Sequence, residues 1–179
     1  MRILLVSGST RSGSTNTAAL RAAQEFEGIE TVLYERLADL PAFNPDDDFE
    51  PLPPIVGELR EQIAAADGVL FCTPEYAGAL PGSFKNLLDW TVGGAEMYGK
   101  PVAWLDVAAE GRGVHALASL RTVLGYVGAN IIEPACVKVF VSRDAVGPDG
   151  DVTDPDTRAA IHKALRVFAD ELEALTPLP

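Results

Sequence analysis

Cysteine is nearly absent, with two in 179 residues, Cys72 and Cys136. They lie far apart, each in an apolar run, and form no CxxC pair. That sets aside a disulfide framework and a thiolate metal site, and both are expected as reduced core thiols. No metal site is expected. Long hydrophobic runs are missing too. The longest are strand-sized, well short of the roughly 20 residues that span a bilayer. Polar Ser7 and Gly8 interrupt the N-terminal apolar run before it reaches signal-peptide length. A cytoplasmic protein away from membranes is expected. Positive charge is scarce, with 14 Lys and Arg against 26 Asp and Glu, a net charge of −12. A phosphate backbone demands a basic surface, so nucleic acid and anionic membranes are excluded as general partners. Internal repeats and low-complexity tails are also lacking.

The acidity is uneven. Residues 1–24 contain Arg2, Arg11 and Arg21 and no acid at all. An anion could sit near this opening segment without opposing its nearest charges.

Along the chain, short apolar runs alternate five times with helical spacing. The strand-like runs are "RILLVSG", "ETVLYE", "DGVLFCTP", "PVAWLDVA" and "NIIEPACVKVFV", the last bent at Pro134. The helical segments are "TNTAALRAAQEF", "LPPIVGELREQIAAA", "GSFKNLLDWTV", "GVHALASLRTVLGYVG" and "TDPDTRAAIHKALRVFADELEAL", the last capped by Thr153 or Asp154. Near-continuous apolar strands between amphipathic helices imply an α/β fold, a parallel sheet covered on both faces. Five such units leave no room for a second domain, so one domain over 1–179 is expected. Residues 37–54, rich in Pro and Asp, form the longest irregular stretch, with "DDD" at 46–48 expected as a solvated turn. A loop of that length serves function or an interface, or it is mobile.

In open parallel sheets, ligands bind at the carboxyl ends of the strands. Three loops qualify: 7–16, 74–82 and 108–113. The first, "GSTRSGST", has P-loop glycine spacing, but Ser14 stands where the phosphate-gripping lysine belongs. Nucleoside triphosphate hydrolysis is therefore a poor fit. GxGxxG also fails, because Ser9 and Thr10 follow Gly8. What remains is an anion cradle of backbone N–H groups, a helix N-terminus, hydroxyls and the Arg11 fork, suited to one phosphate monoester. A plain Ser/Thr-rich turn with a helix cap is the competing explanation. The second loop places Tyr76 just beyond a strand end, where a planar heterocycle can lie against backbone N–H and C=O groups.

"GSTRSGSTNT" resembles the GSxRxxSxN loop of the NAD(P)H-dependent FMN reductases. "PEYAGALPGSFKNLLDW" resembles their PEYN…PGxxKNxxDW segment. Relatives of that family include flavin-dependent quinone, azo-dye and chromate reductases. The resemblance covers roughly residues 1–140. It implies a flavodoxin-like doubly wound sandwich, a five-stranded parallel sheet of order 2-1-3-4-5 with helices on both faces. It further implies that Ser9, Arg11, Ser14 and Asn16, with Thr15 and Thr17 beside them, hold the FMN phosphate. Pro74, Glu75 and Tyr76 would line the flavin ring, with Ala77 and Gly78 close by. The third loop, with Ala109, Glu110 and Gly111, would touch the pyrimidine edge. Lys85, Asn86 and Asp89 match a helix that packs on a second subunit in the family, and a Lys85–Asp89 ion pair on a partly exposed face is the alternative. A homodimer or homotetramer is implied.

Two positions depart from the pattern. Ala77 replaces the asparagine of PEYN. Glu110 stands in the third loop, where an acid would disfavour an anionic reduced flavin and a 2′-phosphate. Arg112 either offsets Glu110 or meets the phosphates of the nicotinamide nucleotide. His115 is expected at the surface of a helix start, and His162 in a structural role. The implied activity is an FMN-dependent oxidoreductase that passes hydride from NADPH or NADH, via FMN, to flavin, quinone or another small acceptor by a ping-pong scheme, with no catalytic side chain demanded. The alternative is a flavodoxin-like electron carrier, whose acidic loop 37–54 would dock to a basic protein.

Overall fold

The structure, a computed structural model, describes residues 1–175. Residues 176–179 of the expected 1–179 unit lie outside the described residues. The strands are β1 (Arg2–Ser7), β2 (Glu30–Tyr34), β3 (Gly68–Cys72), β4 (Pro101–Asp106), β5 (Asn130–Ile131) and β6 (Val137–Lys138). The helices are α1 (Thr15–Gln24), α2 (Pro54–Ala65), α3 (Gly82–Asp89), α4 (Val114–Tyr126) and α5 (Pro155–Leu175). All strand pairings are parallel, in the order β2-β1-β3-β4-β5, with β6 also paired to β4. That is the expected 2-1-3-4-5 order.

The fifth strand position is split. A 3₁₀ turn at Glu133–Ala135 divides the expected run into β5 and β6. Pro134 explains the break, because its ring fixes φ and it offers no N–H to a ladder. Both pieces still pair with β4, so the sheet edge is preserved.

Strand alternation sorts the core into two halves. Ile3, Leu5, Leu70, Cys72, Ala103 and Leu105 face α1 and α5. Leu4, Val6, Val69, Phe71, Val102 and Trp104 face α2, α3 and α4. Burial on both faces is why these strands are apolar without interruption. The central strand β3 is buried along its whole length. Helix α5 is capped by Asp154, whose carboxylate accepts from the Thr157 N–H at 2.8 Å.

The segment 37–54 is anchored to the α2 and α3 side. Asn86 accepts from the Phe43 N–H at 2.7 Å and donates to the Pro41 carbonyl at 2.8 Å. Trp90 donates to the same carbonyl and packs edge-on against Phe43. "DDD" is only partly a solvated turn. Asp46 and Asp47 are exposed, but Asp48 is largely buried and pairs with Arg60 at 2.5 Å, while Arg60 also donates to the Trp90 carbonyl. On α3, Lys85 and Asp89 form the i,i+4 pair at 2.5 Å. Asn86 is occupied within the chain.

Candidate functional site

A cleft of about 590 Å³ opens at the carboxyl ends of β1, β3 and β4. All three singled-out loops reach it. The first contributes Ser9, Arg11, Ser14, Thr15 and Asn16; the second Pro74, Glu75 and Tyr76; the third Ala109 and Gly111.

The first loop is built as an anion cradle. Ser14 caps α1, accepting from the Thr17 N–H at 3.4 Å. The N–H groups of Thr15 and Asn16 make no hydrogen bond among the described residues. The first turn of α1 contains no acid, so its dipole is not neutralised locally. Arg11 is exposed and forms no ion pair among the described residues. Gly8 brings this loop against the second. Its N–H donates to the Cys72 carbonyl at 2.9 Å, and a Cβ there would fall 2.3 Å from Thr73 Oγ1. Beneath the loop, the Cys72 Sγ donates to Asn16 Oδ1 at 3.3 Å, which fixes the Asn16 side chain. Burial pushes the Cys72 thiol well up, so it stays neutral.

The second loop turns tightly. Tyr76 and Ala79 exchange backbone hydrogen bonds at 3.1 and 3.0 Å, around Ala77 at φ 51° and Gly78 at φ 73°. Two successive positive φ values mark a type I′ turn, the geometry that favours Asn followed by Gly. Ala77 holds a conformation that its Cβ disfavours. The Glu75 carboxylate reaches across to α4, accepting from the N–H groups of His115 at 2.9 Å and Ala116 at 3.2 Å. It therefore caps a helix 40 residues away in sequence.

The third loop is shaped by Asp106. Its carboxylate accepts from the Ala108 N–H at 3.0 Å and lies 3.5 Å from Lys138 Nζ. Gly113, at φ 84°, starts α4 where a Cβ would crowd Ala108.

Four of the expected site residues lie off the cleft lining. Thr17 is turned toward Ser7, Oγ to Oγ1 at 2.8 Å, and lines a smaller cavity beside the loop. Ala77 and Gly78 form the exposed tip of the tight turn, their neighbours' backbone groups spent on closing it. Glu110, expected beside the flavin, is 99% exposed, and its nearest cation is Lys138 at 3.9 Å. Arg112 is therefore not needed to offset Glu110. His115 sits at the start of α4 as expected, yet it also lines the cleft. Sequence reasoning missed Thr73 and the wall formed by Phe140, Ser142 and Arg143. That wall follows β6, and the unanticipated strand break hid the fact that a fourth loop faces the site.

The donor set suits FMN. A guanidinium without an ion pair among the described residues, free helix-start N–H groups and hydroxyls match a terminal phosphate, and Pro74, Glu75 and Tyr76 of the second loop flank a site wide enough for a planar ring.

The chain matches the family described as NADPH-dependent FMN reductase over residues 1–140. It is 34% identical to the NAD(P)H-dependent FMN reductase PA1204 of Pseudomonas aeruginosa, covering 94% of this chain and 93% of that one. It is 38% identical to an NADPH azoreductase of a Bacillus species, covering 93% and 89%. Among solved structures, the flavoenzyme NAD(P)H:(acceptor) oxidoreductase FerB of Paracoccus denitrificans superposes with a TM-score of 0.81 at 30% identity, over 97% of each chain. The chain belongs to the NADPH-dependent FMN reductase family.

Proposed function

We propose that the cleft binds FMN and that the chain is an oxidoreductase moving hydride from NAD(P)H to flavin, quinone or another small acceptor. The observation that carries this is the convergence of an uncompensated anion cradle at β1 with the ring-lining loop after β3, in one cleft. Ser9, Arg11, Ser14, Thr15 and Asn16 would hold the phosphate. Pro74, Glu75 and Tyr76 would flank the ring, and Ala109 and Gly111 would border its far edge. Thr17, Ala77 and Gly78 would support these loops. FMN, when bound, supplies the two-electron chemistry, accepting and releasing hydride.

The chain's own part is binding and orientation. Arg11 and the α1 N-terminus neutralise phosphate. Glu75 fixes the second loop against α4, so that two walls of the cleft keep one spacing. The cleft is open, which leaves room for donor and acceptor to use one place in turn, as a ping-pong scheme requires. The binding unit would extend beyond residues 1–140, since Val141, Ser142 and Arg143 line it. The named relatives are reductases, which favours the enzyme over an electron carrier.

No helix among the described residues is long and apolar enough to cross a membrane. A cytoplasmic homodimer or homotetramer goes with this proposal. The side chains of Tyr98 and Tyr126, each 81% exposed, supply apolar surface for self-association, which sedimentation would measure.

Anaerobic mixing of FMN-loaded protein with NADPH, and separately with NADH, tests the function. Rapid bleaching of the flavin is expected. Flavin that binds but stays oxidised would point to the electron carrier, and failure to bind FMN would overturn both.

A further inference from the structure

Arg2, Arg36, Arg60, Arg121, Arg158 and Arg166 each form an ion pair. Arg11, Arg21, Arg112 and Arg143 form none among the described residues. Arg11, Arg112 and Arg143 are exposed, where water satisfies a guanidinium. Arg21 alone of these four is half-buried, and its guanidinium makes no hydrogen bond among the described residues either. A partly desolvated cation whose N–H donors are all unused calls for an anion.

Arg21 borders a second cavity, of about 240 Å³. It lies at the carboxyl ends of β1 and β2, on the β2 side of the first loop, whereas the cleft lies on the β3 side. Ser9 and Arg11 line both spaces, but Thr10, Ser12, Thr17 and Arg21 line only the second. Thr17 and Arg21 are four residues apart, so α1 presents them on one face. The hydroxyls of Thr10 and Ser12 make no hydrogen bond among the described residues. Leu33 and Leu37 supply an apolar wall. Glu35 is the one carboxylate of the lining, and it is exposed and unpaired among the described residues. Asp149 and Asp151 flank Gly150, where a Cβ would stand 2.9 Å from Arg21 Nη1, yet neither acid pairs with Arg21 or lines the cavity.

We propose that this cavity is a second anion site, in which Arg21 and the Thr10 and Ser12 hydroxyls take a phosphate group, either free phosphate or the monoester of a small hydroxylated molecule. A guanidinium fork binds phosphate in bidentate fashion, and the hydroxyls add further donors. Arg11, on the loop between the two spaces, adds positive potential from behind. Glu35 opposes a bare phosphate but accepts hydrogen bonds from the hydroxyls of a monoester. The site goes beyond the function proposed above, because Arg21, Thr10 and Ser12 take no part in lining the cleft.

The test uses FMN-loaded protein, so that the cradle of the first loop is already filled, titrated calorimetrically with inorganic phosphate and with ribose 5-phosphate. Wild type should bind a single equivalent. Arg21→Ala should keep its flavin absorbance and lose roughly tenfold or more in affinity for both probes, the scale of a lost charge-assisted contact. Arg21→Lys should recover part of that loss, and Thr10→Ala should lose severalfold. Glu35→Gln separates the two sources. For free phosphate, wild type should prefer the inorganic ion, and Glu35→Gln should tighten it. For a monoester, wild type should prefer ribose 5-phosphate, and Glu35→Gln should weaken it. No binding to FMN-loaded wild type, or equal binding by Arg21→Ala, would overturn the site, as would a folded Arg21→Ala that sheds FMN. Should Arg21→Ala not fold, unchanged affinity in both Thr10→Ala and Glu35→Gln would overturn it. Protein that takes up no FMN would instead overturn the function proposed above. The second site would then still show as one of two phosphate equivalents, the one that Arg21→Ala loses.

Discussion

At the scale of single residues, charge and backbone conformation decide most. Arg11 has no carboxylate to satisfy it among the described residues, which leaves its guanidinium for a phosphate. Arg11→Ala should weaken FMN retention by about 1.5–3 kcal/mol, the worth of a charge-assisted hydrogen bond. Equilibrium dialysis of the cofactor would measure it, and wild-type retention would contradict the phosphate assignment. Ala77 makes a different case. It sits at φ 51°, where a Cβ costs roughly 1–2 kcal/mol and asparagine is tolerated. Ala77→Asn should raise stability by about 1 kcal/mol in urea unfolding, with m unchanged. From the sequence, this position read as a lost amide beside the flavin. The backbone shows a strained turn residue instead, a property that lies in φ and not in residue type.

At the scale of elements, two caps hold the loops that matter. Glu75 serves α4 from a distant loop, so its loss strands two helix-start N–H groups. Glu75→Ala should cost about 1–2 kcal/mol, as loss of an N-cap does, and should raise amide exchange at His115 and Ala116. Unchanged exchange there would refute the cap. Asp154 serves α5 locally. Its hydrogen bonds from the Thr157 hydroxyl and N–H hold its carboxyl below the ordinary carboxylate range. A depressed folded-state value means that the cap stabilises above the unfolded value and is lost as pH falls through the folded one. The first turn of α5 should therefore fray below about pH 4. Asp154→Asn should flatten that dependence, as read by amide exchange across the range.

At the scale of the whole molecule, the parallel sheet covered on both faces was legible because near-continuous apolar strands and helical spacing are written in residue type, whereas the strand order came from the resemblance of two loop motifs to a known family. Ser9, Arg11, Ser14, Thr15 and Asn16 were legible as a cluster because they share one donor-rich loop between a strand and a helix, and that loop resembles the family's phosphate motif. The wall at 140–143 was not, because it depends on where β6 pairs after the break at Pro134. Nor was the inward use of Asp48, whose partner Arg60 is 12 residues away. The Arg60–Asp48 pair anchors residues 37–54 on the α2 side, and none of those residues lines the cleft. Arg60→Ala leaves a buried carboxylate unpaired and should cost about 3–5 kcal/mol. Limited proteolysis should then cut within 37–54 while FMN binding persists in the folded fraction. Loss of FMN from still-folded protein would show the two regions to be coupled. The two-sided core also bears on synthesis. The α1 side of the sheet is closed by Ile161, Leu165 and Phe168 of the last helix, whereas the α2–α4 side takes its last fully buried residue at Leu124 and its last packed one at Cys136. On a ribosome, one half-core can therefore assemble while the chain is still growing. The half beneath the phosphate cradle must wait until the final helix has cleared the exit tunnel.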